Sequence, residues 1–172
     1  GKATWGVDDD PEHLKKYAHE SARALDVDAI DLLYSHRPSP DVPYDKVIGA
    51  LADLVDEGVA KVVGISNADP DQIRLAHRIL GNKLVAVQNQ FSPGFRSSQA
   101  EIDVTAELGL AFVAWSPLGG YRSPLDEGKF ARFQKVADAR GISRAQVILA
   151  WDLAKGPHII PIPGSHRTAT IL

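Results

Sequence analysis

The chain has 172 residues, 44% of them hydrophobic and 24% charged, and a formal net charge of −3 from 19 basic and 22 acidic side chains. That is enough for one domain with a real core, and it is the composition of a globular protein rather than a disordered one. The balanced charge argues against nucleic-acid or anionic-membrane partners. The absence of cysteine removes disulfides, thiolate catalysis and cysteine–zinc sites, and no apolar run is long enough to span a bilayer.

Residues 1–10 are polar and carry no signal-peptide pattern, so a cytoplasmic location is the expectation. No methionine occurs, an initiator included, and we expect the translation product to be longer than the stretch given. Lys2-Ala3-Thr4 after Gly1 lacks both the upstream glycine and the Lys-Ser/Thr pair of a phosphate loop. The acidic run Asp8-Asp9-Asp10 before Pro11 supplies a cap and a first-turn proline for a helix carrying Leu14, Tyr17, Ala18, Ser21 and Leu25. Residues 30–34 then read as a short buried strand that delivers His36 into a loop stiffened by Pro38, Pro40 and Pro43. Asp41 is expected to cap the next helix, with Val47, Leu51, Leu54 and Val55 on one face and a stop near Gly58.

A second strand over 61–65 leads into Ser66-Asn67, and Asp69-Pro70 opens a helix through Ile73, Leu75, Ala76 and Leu80. A third strand over 84–87 leads into Gln88-Asn89-Gln90. Ser98 is expected to cap a helix through Ile102, Val104, Thr105 and Leu108, and a fourth strand over 111–114 leads into Trp115-Ser116. The longest loop, 116–128, contains Gly119-Gly120. Helices follow over 130–140 and after Ser143, the latter using Val147, Ile148, Ala150, Trp151 and Leu153. A fifth strand over 159–162 leads into Pro163-Gly164-Ser165-His166-Arg167.

Helix and strand alternate with no hairpin signal, which predicts the α/β class with parallel strands in a single domain over 1–172. An open doubly wound sheet and part of a (β/α)8 barrel both fit. The open sheet usually carries a glycine-rich turn after its first strand. Residues 34–40 hold no glycine, which favours the barrel.

Five strands therefore end in polar or aromatic groups, and a parallel sheet would gather those ends on one rim. His36 sits where a general acid or an oxyanion-polarising donor sits, or where a histidine simply caps a strand. Ser66, Asn67 and Gln88 can hydrogen-bond an amide-bearing ligand; taken alone, Ser66 and Asn67 read first as a strand-to-helix turn, and Gln88 also reads as a satisfied rim amide. Trp115 offers a face for a planar heterocycle or for core packing. Residues 116–120 can wrap a pyrophosphate with backbone N–H groups, because glycine permits close approach. Arg167, beside Ser165 and His166, can take a phosphate bidentately or lie in solvent.

Jointly these stretches resemble one family. Leu33-Tyr34-Ser35-His36-Arg37-Pro38, Val63-Gly64-Ile65-Ser66-Asn67, Val87-Gln88-Asn89-Gln90-Phe91-Ser92, Ala114-Trp115-Ser116-Pro117-Leu118-Gly119-Gly120 and Ile160-Pro161-Ile162-Pro163-Gly164-Ser165 are similar, in order and spacing, to the successive signatures of the aldo-keto reductases. The resemblance implies a (β/α)8 TIM barrel to which this chain supplies the C-terminal five βα units. It also implies an oxidoreductase that uses NADPH to reduce small carbonyl substrates. It makes His36 the histidine that orients the carbonyl, and Ser66, Asn67 and Gln88 the carboxamide partners. Trp115 becomes the aromatic that stacks on nicotinamide, and Ser116, Leu118 and Gly120 the pyrophosphate loop. Gly164, Ser165 and Arg167, or His166 in place of Arg167, form the 2′-phosphate region. No metal is implied. The family's catalytic tyrosine, aspartate and lysine lie on earlier strands and match no residue here, so the fragment alone is expected to be inactive. A non-catalytic cofactor-binding protein of the same fold remains an alternative, and oligomeric state is left open.

Overall fold

A computed structural model describes residues 10–120 and 130–165. The elements run α1 (Pro11–Leu25), β1 (Ile30–Ser35), α2 (Tyr44–Asp56), β2 (Ala60–Ser66), α3 (Pro70–Leu80), a 3-10 turn (Gly81–Lys83), β3 (Leu84–Gln90), α4 (Gln99–Leu108), β4 (Ala111–Trp115), α5 (Ala131–Arg140), α6 (Arg144–Leu153) and β5 (Ile159–Ile162). The strands form one five-stranded sheet in sequence order, and β1–β2 and β4–β5 pair in parallel. The α/β class with a parallel sheet, predicted from the alternation, is the architecture found. The chain divides into two compact units, Gly1–Val87 and Gln88–Leu172.

Local signals set most helix starts. Asp10 accepts from the Glu12 and His13 N–H groups at the start of α1. Asp69 with Gln72, and Ser143 with Gln146, form reciprocal capping boxes at α3 and α6. Two expected caps fail. Helix α2 begins at Tyr44 with Pro43 at the cap position, so Asp41 lies too far upstream; its own N–H bonds the Ser39 hydroxyl. Ser98 occupies the cap position of α4 but makes no side-chain bond, because its backbone is not in the extended conformation a capping serine uses (φ −86°, ψ 23°). The apolar stripe of α1 is also narrower than its spacing suggested. Leu14, Ala18 and Ala22 turn inward, while Tyr17 and Leu25 are exposed.

In the first unit, Ala18 of α1, Leu54 of α2 and Val59 form a buried cluster, with Leu14 and Leu33 packed against it. Leu33 thus faces the helices, and by strand alternation Leu32 and Tyr34 leave the opposite face. In the second unit, Phe91, Ile102, Phe112, Ala114 and Ile159 are buried together with Trp151 against them. Phe91 stacks on Trp151 at 5.6 Å between centroids and meets Phe112 edge-on at 6.2 Å. Each of the buried Phe and Ile side chains contributes roughly 1.5–3 kcal/mol. The cluster ties β4, β5 and α6 into one layer. It also fixes the register in which Trp115 lies opposite Ile162.

One residue in this layer opposes the packing. Asp152 lies on the inward stripe of α6 with Ile148, and both are fully buried. Neither carboxylate oxygen of Asp152 has a hydrogen-bond partner among the described residues. Burial pushes its carboxyl up to about 7, against a weaker opposing pull from Lys155. Unfolded, the group ionises near 3.8. Between these values the native state holds the extra proton, so this group lowers stability progressively as pH rises from about 4 to about 7, with no further change above. We expect Asp152→Asn to remove that slope and to gain on the order of 2–4 kcal/mol over the wild type at pH 8. Urea unfolding at pH 5 and pH 8 measures it, and parallel pH profiles for the two proteins would refute it.

Candidate functional site

In the first unit the residues after β1 and at the end of β2 come together. The two strands run in register to Ser35 opposite Ile65, so His36 and Ser66 are the next pair. Ser66 closes β2 and is buried, while His36 is exposed just beyond β1. Asn67 follows with a left-handed backbone, φ 56°. Its amide nitrogen donates to the His36 carbonyl oxygen at 2.9 Å and to Ser66 Oγ at 3.0 Å. The strand-to-helix turn foreseen for this segment is therefore present, and it occupies the donor end of the Asn67 amide. The acceptor end, Oδ1, has no bond among the described residues and can take an N–H from a ligand amide. The His36 imidazole is likewise unbonded among the described residues. It is the titratable side chain of this cluster, presented at the carboxyl end of a parallel strand.

In the second unit, Gln88 and Gln90 share one face of β3, and Asn89 lies buried on the other. Trp115 ends β4, with its carbonyl oxygen accepting the Phe91 N–H at 3.3 Å. Its indole N–H is buried without a partner among the described residues. Ser116 is left-handed (φ 53°), its carbonyl accepts the Gly119 N–H at 2.9 Å, and Gly119 and Gly120 have φ of 96° and 74°. A Cβ at Gly120 would come within 2.7 Å of Ser116 Oγ, so the loop closes on itself only because residue 120 is glycine. This loop and the segment after β5 enclose a cavity of about 520 Å³ lined by Ser116, Pro117, Leu118, Gly120, Ile162, Pro163, Gly164 and Ser165. Five residues chosen from sequence thus line one cavity: Ser116, Leu118, Gly120, Gly164 and Ser165. Pro117 belongs to the 116–120 stretch already singled out, whereas Ile162 and Pro163 were not chosen as site residues. Their positions next to a strand end are the signal that could have found them. Arg167 and His166 lie outside the described residues.

A profile of the Aldo/keto reductase family matches residues 1–172. The chain is 38% identical over 175 residues to a 6-dehydroglucose reductase of Novosphingobium aromaticivorans, covering 95% of this chain and 56% of that protein. Among solved structures it matches the thermostable aldo-keto reductase Tm1743, crystallised with the inhibitor epalrestat, at a TM-score of 0.84. That match has 27% identity and covers 94% of this chain and 58% of the other. It also matches an aldo/keto reductase of Klebsiella pneumoniae, in complex with NADP and acetate, at a TM-score of 0.76. There the identity is 26%, with 90% and 57% covered. The chain belongs to the aldo/keto reductase family, and its α/β fold corresponds to part of that family's barrel. It spans a little over half the length of the curated relatives it matches.

The Asn67 turn can be tested without a ligand. Asn67→Ala keeps the left-handed backbone without glycine's freedom and deletes two hydrogen bonds, and we expect it to destabilise the protein by about 2 kcal/mol. Asn67→Gly deletes the same bonds but relieves the conformational strain, so about half that loss is expected. Denaturant unfolding separates the two, and equal losses would show that the backbone conformation carries none of the effect.

Proposed function

We propose that this chain is the cofactor-binding portion of an oxidoreductase that uses NADPH to reduce aldehydes or ketones to alcohols. The observation that carries the proposal is the cavity between the loops after β4 and β5, where a side chain at residue 120 would meet Ser116 and the bare glycine lets an anion approach the main chain closely. The residues present fit such a group: a glycine cradle for phosphates, an unbonded amide oxygen on Asn67 and an aromatic at the foot of the loop. Ser66, Asn67 and Gln88 would hold the carboxamide, and Trp115 would stack on the ring. Ser116, Leu118 and Gly120 would hold the pyrophosphate. Gly164, Ser165 and Arg167 would hold the 2′-phosphate, with Arg167 favouring NADPH over NADH. When bound, the reduced nicotinamide supplies a hydride to the carbonyl carbon.

His36 would donate a hydrogen bond to the carbonyl oxygen and hold it in line for that transfer, polarising the bond as charge develops. Its backbone is held by Asn67, so the imidazole starts from a fixed root. The reading assigns proton delivery to no residue of 1–172. The membership of the family supports reduction of a carbonyl as the reaction class, and the NADP bound in the Klebsiella pneumoniae relative supports the cofactor. Small carbonyl compounds are the partners this reading requires. No helix among the described residues is long and apolar enough to cross a membrane.

Titrating the full-length protein with NADPH and following tryptophan fluorescence tests the reading. We expect quenching that is lost in Trp115→Leu and an affinity at least tenfold weaker in Gly120→Ala, where the added Cβ meets Ser116. His36→Ala should lower kcat for a simple aldehyde by roughly 10²-fold with little change in NADPH affinity. Unaltered NADPH binding by Gly120→Ala would remove the cavity from the proposal. Unaltered turnover by His36→Ala would remove His36.

A further inference from the structure

We propose that Tyr34 is a positioning residue for the reacting end of the site: its ring, seated on the bare Cα of Gly64, sets how His36 and Ser66 stand relative to each other. The inference rests on the role given to His36 above.

Tyr34 and Gly64 are opposite each other in the β1–β2 register. A Cβ built at Gly64 would overlap the tyrosine ring, meeting Cδ1 and Cζ at 2.7 Å. Gly64 is not among the residues of positive φ, so its backbone would accept any side chain. Glycine inside a strand is destabilising through chain entropy and forgoes packing, and close approach of a neighbour is the physical reason left for it here. The ring lies across β2 in the volume a methyl group would fill.

The position of this contact gives it consequence. Leu33 faces the helices, so Tyr34 and, by alternation carried one residue past the strand, His36 share the other face. Gly64 and Ser66 share that face on β2. The Tyr34–Gly64 pair is thus the row immediately before His36 and Ser66, and the Asn67 amide ties the two strand ends together just beyond. A side chain at 64 must push the ring away or part the strands, and either moves His36 against Ser66. Misplacing a reacting group by about 1 Å can lower turnover by as much as 10²-fold.

The test is a double-mutant cycle in the full-length protein. It uses Gly64→Ala, Tyr34→Ala, Tyr34→Phe and the pair Gly64→Ala with Tyr34→Ala. Two readouts are taken. One is the His36 imidazole resonance of the unliganded protein, assigned with His36→Ala. The other is kcat against KM for a simple aldehyde. Gly64→Ala should move the resonance and lower kcat about tenfold while leaving KM within about twofold. Tyr34→Phe, which keeps the ring, should do neither. The double variant should match Tyr34→Ala rather than add the two losses, since the clash needs both partners. An unmoved resonance with unchanged kcat in Gly64→Ala, or additive losses in the double variant, would overturn the proposal. Should Gly64→Ala fail to melt cooperatively, the comparison of Tyr34→Ala with Tyr34→Phe decides, with the resonance moving only in the former. If the wild type reduces no aldehyde with NADPH, the functional reading fails, and the resonance comparison still decides the positioning claim.

Discussion

A parallel strand that ends in a functional side chain must hand the chain to a helix or loop within one or two residues, or that side chain sinks back into the packed layers. Here the handover is made twice by the same backbone device. Asn67 directly follows β2 and Ser116 directly follows β4, and both are left-handed, with φ of 56° and 53°. For an L-residue other than glycine this costs roughly 1–2 kcal/mol. Each turn carries its own compensation. Asn67 returns two side-chain hydrogen bonds, to the His36 carbonyl and to Ser66 Oγ; Ser116 gives its carbonyl to the Gly119 N–H. Apart from Asp26, which ends α1, these are the non-glycine residues with positive φ among the described residues. Strain concentrated at the strand ends is expected where a fixed geometry there is worth more than local stability.

How much of this the sequence revealed depends on whether the signal was local. Asp10-Pro11, Asp69-Pro70 and Ser143 announce helices because a cap acts within three residues, and the structure uses all three. Asp41 misled because proline at 40 and 43 spends several residues in extended conformations before a helix can begin, so the cap position fell on Pro43 instead. Strand cores were legible from apolar runs, but their ends were not. Ser66, Trp115 and residues 88–90 continue the strands, since a ladder hydrogen bond is indifferent to side-chain polarity. The left-handed state of Ser116 left no trace, because serine is common in turns of every kind. Gly64 in a strand was a visible signal, yet its meaning needed the partner strand to show that Tyr34 fills the missing volume. Asp152 was visible too, one helical turn after Ile148 on a stripe that should be apolar.

The packing of the second unit explains why its cavity has a fixed shape. Phe91 just after β3, Phe112 of β4 and Trp151 of α6 interlock with Ile159 of β5 buried among them, and β4 pairs with β5 so that Trp115 lies opposite Ile162. Pro161, inside β5, does not weaken this pairing. The Phe112 N–H bonds the His158 carbonyl, so in a parallel ladder Ile160 and Ile162 exchange bonds with β4, while Ile159 and Pro161 point their nitrogens the other way. A proline is tolerated where no ladder bond is asked of it. It also removes a donor from the outer edge of β5, the last strand in the sheet order.

The two clusters differ in the polar groups they present, and the difference follows from their backbones. Around the cavity after β4 and β5 the side chains are small, apolar or hydroxylic, so the main chain makes up much of the polar lining. Around His36 the recognising atoms belong to side chains, an imidazole and an amide oxygen, which discriminate by direction as well as by charge.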